Sequence, residues 1–500
     1  MNPWPSQLRA LALPICMLLV FATQTQADLS VFSSCKLGSG RAKITAECAT
    51  LAVPLDRNNP GSGSIDLAIA RIPSRRQSGN KDAVTMIAGG PGQSALDTWQ
   101  QISSAFRHVN RDRDIILIDQ RGTGKSNRLN CPVSADSLGL HQQFDPAEIT
   151  RKTSDCLRQL NTDTRFYTTS IAVADLESIR EQLGITQWNL YGVSYGTRVA
   201  LHYLRRYPDA VRTLALDGVV PPQVSLGPEI ASMAQRSLDL LFDRCTRDAG
   251  CTDAFGHQGE AFEELIDELE QEPKSISYED FATGKLAQRK FTRNDLAMTI
   301  RLMSYSSQTA AILPSMLHEA ITADNFSSFA RLADMQSRQL DDALATGMHH
   351  AIICTEDVPF MAKADGETSE AMSNANSRPD RSYLGNRVVA ALKAACKPWP
   401  AGIIDPDFKD PVDSDVPTLI LSGGADPVTP PEYGSQVQAT LTNTHHIINA
   451  DEGHTQAHLG CIPIIFARFV EQASTDNLQD DCLTRITPLP FFVDANGPLP

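Results

Sequence analysis

The chain has 500 residues, of which 42% are hydrophobic and 21% are charged, and its formal net charge is −15 at pH 7. This length and composition allow a sizeable core, built as one large domain with an insertion or as two domains, and they exclude a disordered or fibrous protein. The sequence contains no long block of Lys or Arg, so nothing favours binding to nucleic acid or to an anionic membrane.

The first 27 residues have the layout of a secretory signal peptide. Residues 10–22 form an uncharged apolar run behind Arg9, and polar residues and the small Ala27 follow. This run is short for a membrane span, although an N-terminal anchor is the alternative. We expect a mature chain that begins near Asp28, a secreted or periplasmic location, and no membrane contact after cleavage.

Ten of the eleven cysteines lie beyond the predicted signal, an even number in a chain bound for an oxidising compartment. No Cys-x-x-Cys pair occurs, which favours disulfides over a metal site. Pairing of neighbours along the chain is one hypothesis among many connectivities. It gives Cys35/Cys48, Cys131/Cys156, Cys245/Cys251, Cys354/Cys396 and Cys461/Cys482.

Strand patterns alternate with helical patterns in the first half of the chain, which predicts an α/β fold with a sheet covered by helices. We predict buried strands within 83–90, 113–122 and 211–219. Residues 171–183 carry a helical apolar stripe, and residues 188–208 form a strand, a sharp turn and a helix. Helical patterns dominate from about 221 to 410, and strands return within 416–430 and 444–455. We therefore divide the mature chain into a first core part (28–220), an inserted helical cap (221–410), and a second core part with a C-terminal tail (411–500).

The stretch ILIDQRGTGKSN (116–127) resembles a strand that enters a phosphate-binding loop. Such a loop needs a glycine five residues before its Gly-Lys-Ser, because the backbone there must approach the phosphates closely. That position is Asp119. The mismatch argues against nucleotide binding, and we expect no cofactor.

Gly192-Val193-Ser194-Tyr195-Gly196 matches G-x-S-x-G between a predicted strand and a predicted helix. This is the context of a nucleophile elbow, in which a sharp turn exposes the serine at the edge of the sheet. The alternative is a serine that caps an ordinary strand-to-helix turn.

A nucleophilic serine needs a base and an acid, which in this arrangement follow it in the order Asp or Glu, then His. Asp426 and His454 each follow a predicted strand and are our candidates. His445 and His446 lie within a strand pattern, Asp451 is suited to a turn, and Asp217 is a rival for the acid.

Ser194 and Asp426 are 232 positions apart. Two βα units would need about sixty to seventy residues, so roughly 160 are surplus. This surplus matches the helical stretch and predicts a cap over the strand ends. The backbone N–H of Tyr195 and that of Gly90, in the loop AGGPGQS (88–94), are our candidates for the oxyanion hole; a merely flexible GGPG turn is the alternative.

The motifs GGPG, DQRGTGKS, LYGVSYGTRVALHYLRRYP and GGADPVTP…EGH together resemble the secreted tripeptidyl and prolyl aminopeptidases of the α/β-hydrolase fold, the tripeptidyl branch more closely. The resemblance covers about 50–220 and 411–465. It implies that DQRG is a structural turn beside the active site. The chain lacks a Trp-x-x-Trp-Glu stretch and has Ala88 where prolyl enzymes usually have His, which argues against strict proline specificity.

The resemblance also implies cleavage near a free N-terminus, with acidic cap residues binding the substrate ammonium. Glu356, in CTEDVPF, is our candidate for this role; the alternative is an acid on a helix surface. We thus expect an exported serine exopeptidase that acts on peptides with a free N-terminus, without metal or cofactor. A carboxylesterase or lipase with the same triad is one alternative, and a non-catalytic binding protein on a hydrolase scaffold is another.

Overall fold

The computed structural model describes residues 1, 31–38, 43–131, 145–364, 382–494 and 497. Apart from Met1, the predicted signal peptide at 1–27 lies outside the described residues. Within them, no helix combines the length and apolar character needed to cross a membrane.

The described residues contain eleven strands. They are β1 (Ser33–Leu37), β2 (Ile44–Pro54), β3 (Ser64–Ile72), β4 (Ala83–Ile87), β5 (Ile115–Ile118), β6 (Trp188–Val193), β7 (Val211–Asp217), β8 (Lys274–Glu279), β9 (Leu286–Phe291), β10 (Thr418–Gly423) and β11 (Thr444–Asn449). Nine of them form one sheet in the order β1-β2-β3-β5-β4-β6-β7-β10-β11. Within this sheet, the adjacent strands in the series β5-β4-β6-β7-β10-β11 are parallel. Strands β1, β2 and β3 extend the sheet beyond β5 with antiparallel pairing.

The same residues contain sixteen α-helices. They are α1 (Ala95–Phe106), α2 (Pro146–Gln159), α3 (Thr169–Gln182), α4 (Tyr195–Arg206), α5 (Ile230–Arg247), α6 (Ala249–Phe255), α7 (Gly259–Gln271), α8 (Arg293–Met303), α9 (Ser307–Ala310), α10 (Leu313–Ala323), α11 (Ser327–Ala343), α12 (Thr346–Glu356), α13 (Val358–Ala364), α14 (Arg387–Cys396), α15 (Pro431–Gln438) and α16 (Ile462–Gln472).

Helices cover both faces of the sheet, as the α/β pattern predicts. Strands β4, β6 and β10 are buried along their whole length, which explains why they are mostly apolar and do not alternate between apolar and exposed polar residues. Helices α3 and α4 pack into the core on one face. Helices α1 and α16 pack into the core on the other, where Phe106, Tyr191 and Phe466 form edge-to-face contacts.

A long insertion separates two strands that pair side by side. β7 ends at Asp217 and lies parallel to β10, which begins at Thr418. Helices α5–α14 lie between them. Helices α5–α11 share a hydrophobic core of their own, whereas α12 packs into the sheet core beside α3 and α4, and α14 packs against α2. The insertion also contains the β8–β9 hairpin, which the sequence did not indicate, because all but one residue of each strand is exposed or only partly buried and neither strand forms a buried run. The domain boundaries at 220 and 411 stay predictions.

All five disulfides join neighbours along the chain, so the neighbour-pairing hypothesis is confirmed in the structure. They are Cys35–Cys48, Cys131–Cys156, Cys245–Cys251, Cys354–Cys396 and Cys461–Cys482. The Cys354–Cys396 bond ties α12 to α14 within the insertion.

The DQRGTG turn has a structural role and is hydrogen-bonded to the start of helix α1. The Asp119 carboxylate accepts hydrogen bonds from Ser94 Oγ (2.7 Å) and from the backbone N–H groups of Leu96 and Lys125. A Cβ on Gly124 would lie 2.0 Å from Asp119 Oδ2, so glycine is required for this approach. The turn therefore holds the start of α1 in place through the Asp119 carboxylate.

The arginine of the same turn is buried and paired. Arg121 binds both carboxylate oxygens of Asp175 at 2.6 and 2.7 Å, and it donates to the carbonyls of Pro54, Leu55 and Phe166. A fully hydrogen-bonded guanidinium of this kind ties strand β2 to helix α3.

Candidate active site

Ser194 stands on a sharp turn between β6 and α4. Its φ and ψ are 56° and −128°, a conformation that a non-glycine residue adopts only when its surroundings impose it. The flanking glycines allow the turn, because a Cβ on Gly192 would lie 2.5 Å from the carbonyl oxygen of Gly196, and one on Gly196 would lie 2.2 Å from that of Ile87. These are the properties of a nucleophile elbow.

His454 is paired with Asp426. Its Nδ1 lies 2.7 Å from Asp426 Oδ2, and both side chains are buried. The other carboxylate oxygen accepts the backbone N–H groups of Val428 (2.8 Å) and Thr429 (2.9 Å), and the Thr429 hydroxyl donates to Oδ2. The carboxylate is therefore held by four groups and directs the His454 ring.

The rival acid Asp217 binds the backbone instead. Its carboxylate accepts the N–H groups of Gln456 and Ala457 at 2.8 Å and the hydroxyl of Tyr191 at 2.7 Å. It thus anchors the loop that follows His454 without contacting the ring nitrogen that Asp426 binds.

The other competitors are engaged elsewhere. His445 pairs with Asp480 at 3.0 Å, and His446 contacts Ser422 Oγ at 2.9 Å. Asp451 lies in the turn after β11, as its alternative role predicted. The structure therefore brings together the Asp426 and His454 that the chain order indicated.

The inserted region also supports His454, which the sequence did not reveal. The backbone N–H of His454 donates to the carbonyl of Tyr305 at 2.8 Å, and the Tyr305 ring meets the imidazole edge to face with centroids 5.1 Å apart. Tyr305 follows α8 in a stretch without a motif, so only the folded structure could have identified it.

Electrostatics divide the pair into an ionised acid and a basic imidazole. Burial raises the pKa of Asp426, but His454 and the hydrogen bonds from Thr429 outweigh it, and the pKa lies below its ordinary value. Burial lowers the pKa of His454, whereas the charge and hydrogen bond of Asp426 raise it more, with a smaller contribution from Asp217 and an opposing one from Arg301. The net pKa of His454 lies above its ordinary value of 6.5.

We expect hydrolysis to be lost on the acid side as His454 becomes protonated. A general base must be neutral, so kcat/KM should be full above the pKa of His454 and should fall as pH decreases through it. Because that pKa is raised, the midpoint of the acid limb is expected above 6.5. A pH profile of kcat/KM measures this midpoint, and a value clearly below 6.5 would contradict the Asp426–His454 pairing.

The loop at 88–94 lies against the nucleophile. A Cβ on Gly89 would be 3.0 Å from Ser194 Cβ, and Gly90 shares a cavity wall with Ser194. Tyr195 is the first residue of α4, where backbone N–H groups have no partner within the helix. This placement suits the two backbone donors that the sequence suggested.

A cavity of about 510 Å³ contains Ser194 and His454 in its wall. The inserted helices line it with apolar side chains, among them Ile230, Met298, Leu340 and Leu392. Among the lining residues that belong to the described part of the chain, Arg301 is the one permanent charge and none is Asp or Glu. The cavity therefore suits an apolar acyl group.

The structure does not bring Glu356 to this cavity. His349 and Ile353 of α12 line it, whereas Glu356 ends the helix at the start of α3. Its fully buried carboxylate accepts the backbone N–H of Thr169 at 2.7 Å and the Thr169 hydroxyl at 2.8 Å. Burial raises its pKa to about 7. Glu356 caps α3, and its burial contradicts the alternative of an acid on a helix surface.

Two protein-family models match separate parts of the chain. "Alpha/beta hydrolase fold" matches residues 82–249, and "TAP-like protein" matches residues 381–482. The first range contains Ser194, and the second contains Asp426 and His454.

Named relatives include peptidases and an esterase. Serine protease Hip1 of Mycobacterium tuberculosis is 25% identical over 442 residues, which cover 81% of each chain. Tripeptidyl aminopeptidase of Streptomyces lividans is 27% identical over 44% of each chain. Carboxylesterase B of M. tuberculosis is 31% identical over 48% of this chain and 51% of its own.

Fold and site together define a serine hydrolase with the α/β-hydrolase architecture. The chain belongs to the tripeptidyl-aminopeptidase-like family of α/β-hydrolases, as its motifs predicted.

Proposed function

We propose that this chain is a serine exopeptidase that releases short peptides or single residues from free N-termini. The observation that carries the proposal is the cap-lined cavity of about 510 Å³, which has the elbow serine and His454 in its wall and Asp426 paired with His454 behind it. A cavity of this size accepts a small or extended ligand rather than a folded chain. The preference for a free N-terminus rests on the likeness to peptidases of the tripeptidyl type.

In the proposed mechanism, Ser194 Oγ attacks the scissile carbonyl carbon while His454 accepts the hydroxyl proton. Asp426 holds the imidazole in the required tautomer, and the N–H groups of Tyr195 and Gly90 bind the oxyanion. Collapse of the tetrahedral intermediate breaks the C–N bond, and His454 gives its proton to the leaving amine. Water then hydrolyses the acyl-enzyme by the same route.

We also propose that the protein is exported. Five disulfides support this location, because such bonds persist in oxidising compartments. The predicted signal peptide would direct the chain to the periplasm or the exterior.

A carboxylesterase is the second candidate. It is favoured by the absence of Asp and Glu from the cavity wall among the described residues, since an ammonium group in an apolar cavity needs a partner. The relative named Carboxylesterase B points the same way.

Hydrolysis of Ala-Ala-Ala-p-nitroanilide with a free or an acetylated amine, beside p-nitrophenyl butyrate, separates the two candidates. We expect the free-amine anilide to be cleaved with the higher kcat/KM. Equal cleavage of both anilides would show that the enzyme does not require a free N-terminus, and this part of the proposal would be wrong. Turnover of the ester alone would establish the esterase.

A further inference from the structure

Among the described residues that line the cavity, Arg301 carries the one permanent charge, and the others are largely apolar. Arg301 lines the wall that contains Ser194 and His454. None of the ion pairs found between described residues involves Arg301. In surroundings of low polarity, a guanidinium without a carboxylate partner attracts an anion much more strongly than it would in water.

The guanidinium of Arg301 is held in place, but not all of its N–H donors have a hydrogen-bond partner among the described residues. One Nη donates to the Tyr305 hydroxyl at 3.1 Å, and the guanidinium carbon lies 5.5 Å from the centre of the same ring. Its Nε is buried and has no hydrogen-bond partner within the described chain. A guanidinium offers five N–H donors in a planar fork, so donors remain for a carboxylate.

Tyr305 also sets where this charge lies relative to the reaction. Its ring packs against the His454 ring, so Arg301 extends the His454 side of the cavity. The histidine delivers its proton to the leaving group, which therefore departs on that side.

We infer that Arg301 binds a carboxylate carried by the leaving part of the substrate, either an acidic side chain or a free C-terminus. This inference rests on the proposed peptidase function. It assigns to Arg301 the role of a specificity residue, selecting peptides with an acidic group beyond the scissile bond.

Three tetrapeptides test the inference: Ala-Ala-Ala-Gln-amide as the neutral reference, Ala-Ala-Ala-Glu-amide, and Ala-Ala-Ala-Gln with a free C-terminal carboxylate. Release of the last residue is followed by mass spectrometry. We expect at least one acidic peptide to exceed the reference about tenfold to one-hundredfold in kcat/KM, the range of a charge-assisted hydrogen bond. The preferred acidic peptide identifies the source of the carboxylate.

The Arg301→Gln variant should bring this ratio close to one, and Arg301→Lys should keep part of it, because lysine retains the charge but not the planar fork. Arg331→Gln is the matched control: it removes a half-exposed arginine of α11, paired with Glu279 at 3.7 Å and absent from the cavity wall. Its ratio should equal that of the wild type. A wild-type ratio near one for both acidic peptides, or an undiminished ratio in Arg301→Gln, would overturn the inference.

Binding to the Ser194→Ala protein separates this inference from the proposed function. Calorimetry should show the acidic tetrapeptide binding at least tenfold more tightly than the reference, and Arg301→Gln in the same background should abolish the difference. Such a binding result, together with a wild type that cleaves none of the three peptides, would reject the peptidase and retain the carboxylate site. Cleavage without any acidic preference would do the reverse.

Discussion

Replacement of Ser194 by alanine is expected to lower kcat by about 10⁵- to 10⁶-fold on whichever substrate the wild type cleaves best. The proposed mechanism forms its covalent bond at Ser194 Oγ, and the hydroxyl of Tyr195, the other one in the elbow, is paired with the Thr169 hydroxyl. The protein should also lose labelling by a fluorophosphonate probe, which reacts with an activated serine. Steady-state rates and mass spectrometry of the labelled protein measure both effects.

Ser435→Ala is the matched control, because Ser435 is exposed on α15 and lies outside the cavity wall. It should keep full activity and labelling. The thermal midpoint of Ser194→Ala should remain within a few degrees of the wild-type value, since the substitution creates no buried cavity. A wild-type protein that the probe does not label would instead support the non-catalytic binding protein.

Asp426→Asn is expected to reduce kcat by about 10⁴-fold. Asparagine has nearly the shape of aspartate, but it cannot stabilise an imidazolium and it favours the wrong imidazole tautomer. The loss should appear mainly in kcat, because Asp426 is fully buried behind His454 and is not among the residues that line the cavity. Steady-state kinetics at a pH above the acid limb measure it.

Asp217→Asn is the informative partner variant. Asp217 accepts the N–H groups of Gln456 and Ala457 and the Tyr191 hydroxyl, so the amide places a donor where only acceptors fit. We expect a loss of about 1–3 kcal/mol in the free energy of unfolding and a much smaller fall in kcat than in Asp426→Asn. The opposite ranking of the two kcat values would make Asp217 the catalytic acid.

Local sequence was sufficient for much of the fold. Largely apolar runs predicted β4, β6 and β10, because strands buried on both faces carry few polar residues. The exposed β8–β9 hairpin was missed for the converse reason. Neighbour pairing of cysteines was confirmed because each bond closes a local segment, such as the β1–β2 pair joined by Cys35–Cys48.

The candidate triad was predictable because each member belongs to a short motif at a strand end, in a defined chain order. Ser194 needs its flanking glycines, and Asp426 and His454 need loops that follow parallel strands. The sequence favoured Asp426 over Asp217 as the catalytic acid but did not decide between them. Both follow strands, and the hydrogen bond from His454 distinguishes them.

By itself, the sequence determined the class of the protein: an α/β-hydrolase core, its serine elbow, and an insertion long enough to cover it. The tertiary structure alone decided what faces the substrate. Arg301 and Tyr305 reach the cavity while Glu356 turns away to cap α3. The physical reason is that the direction of a side chain on an inserted helix depends on how that helix packs against the core, and this packing is set by contacts distant in sequence.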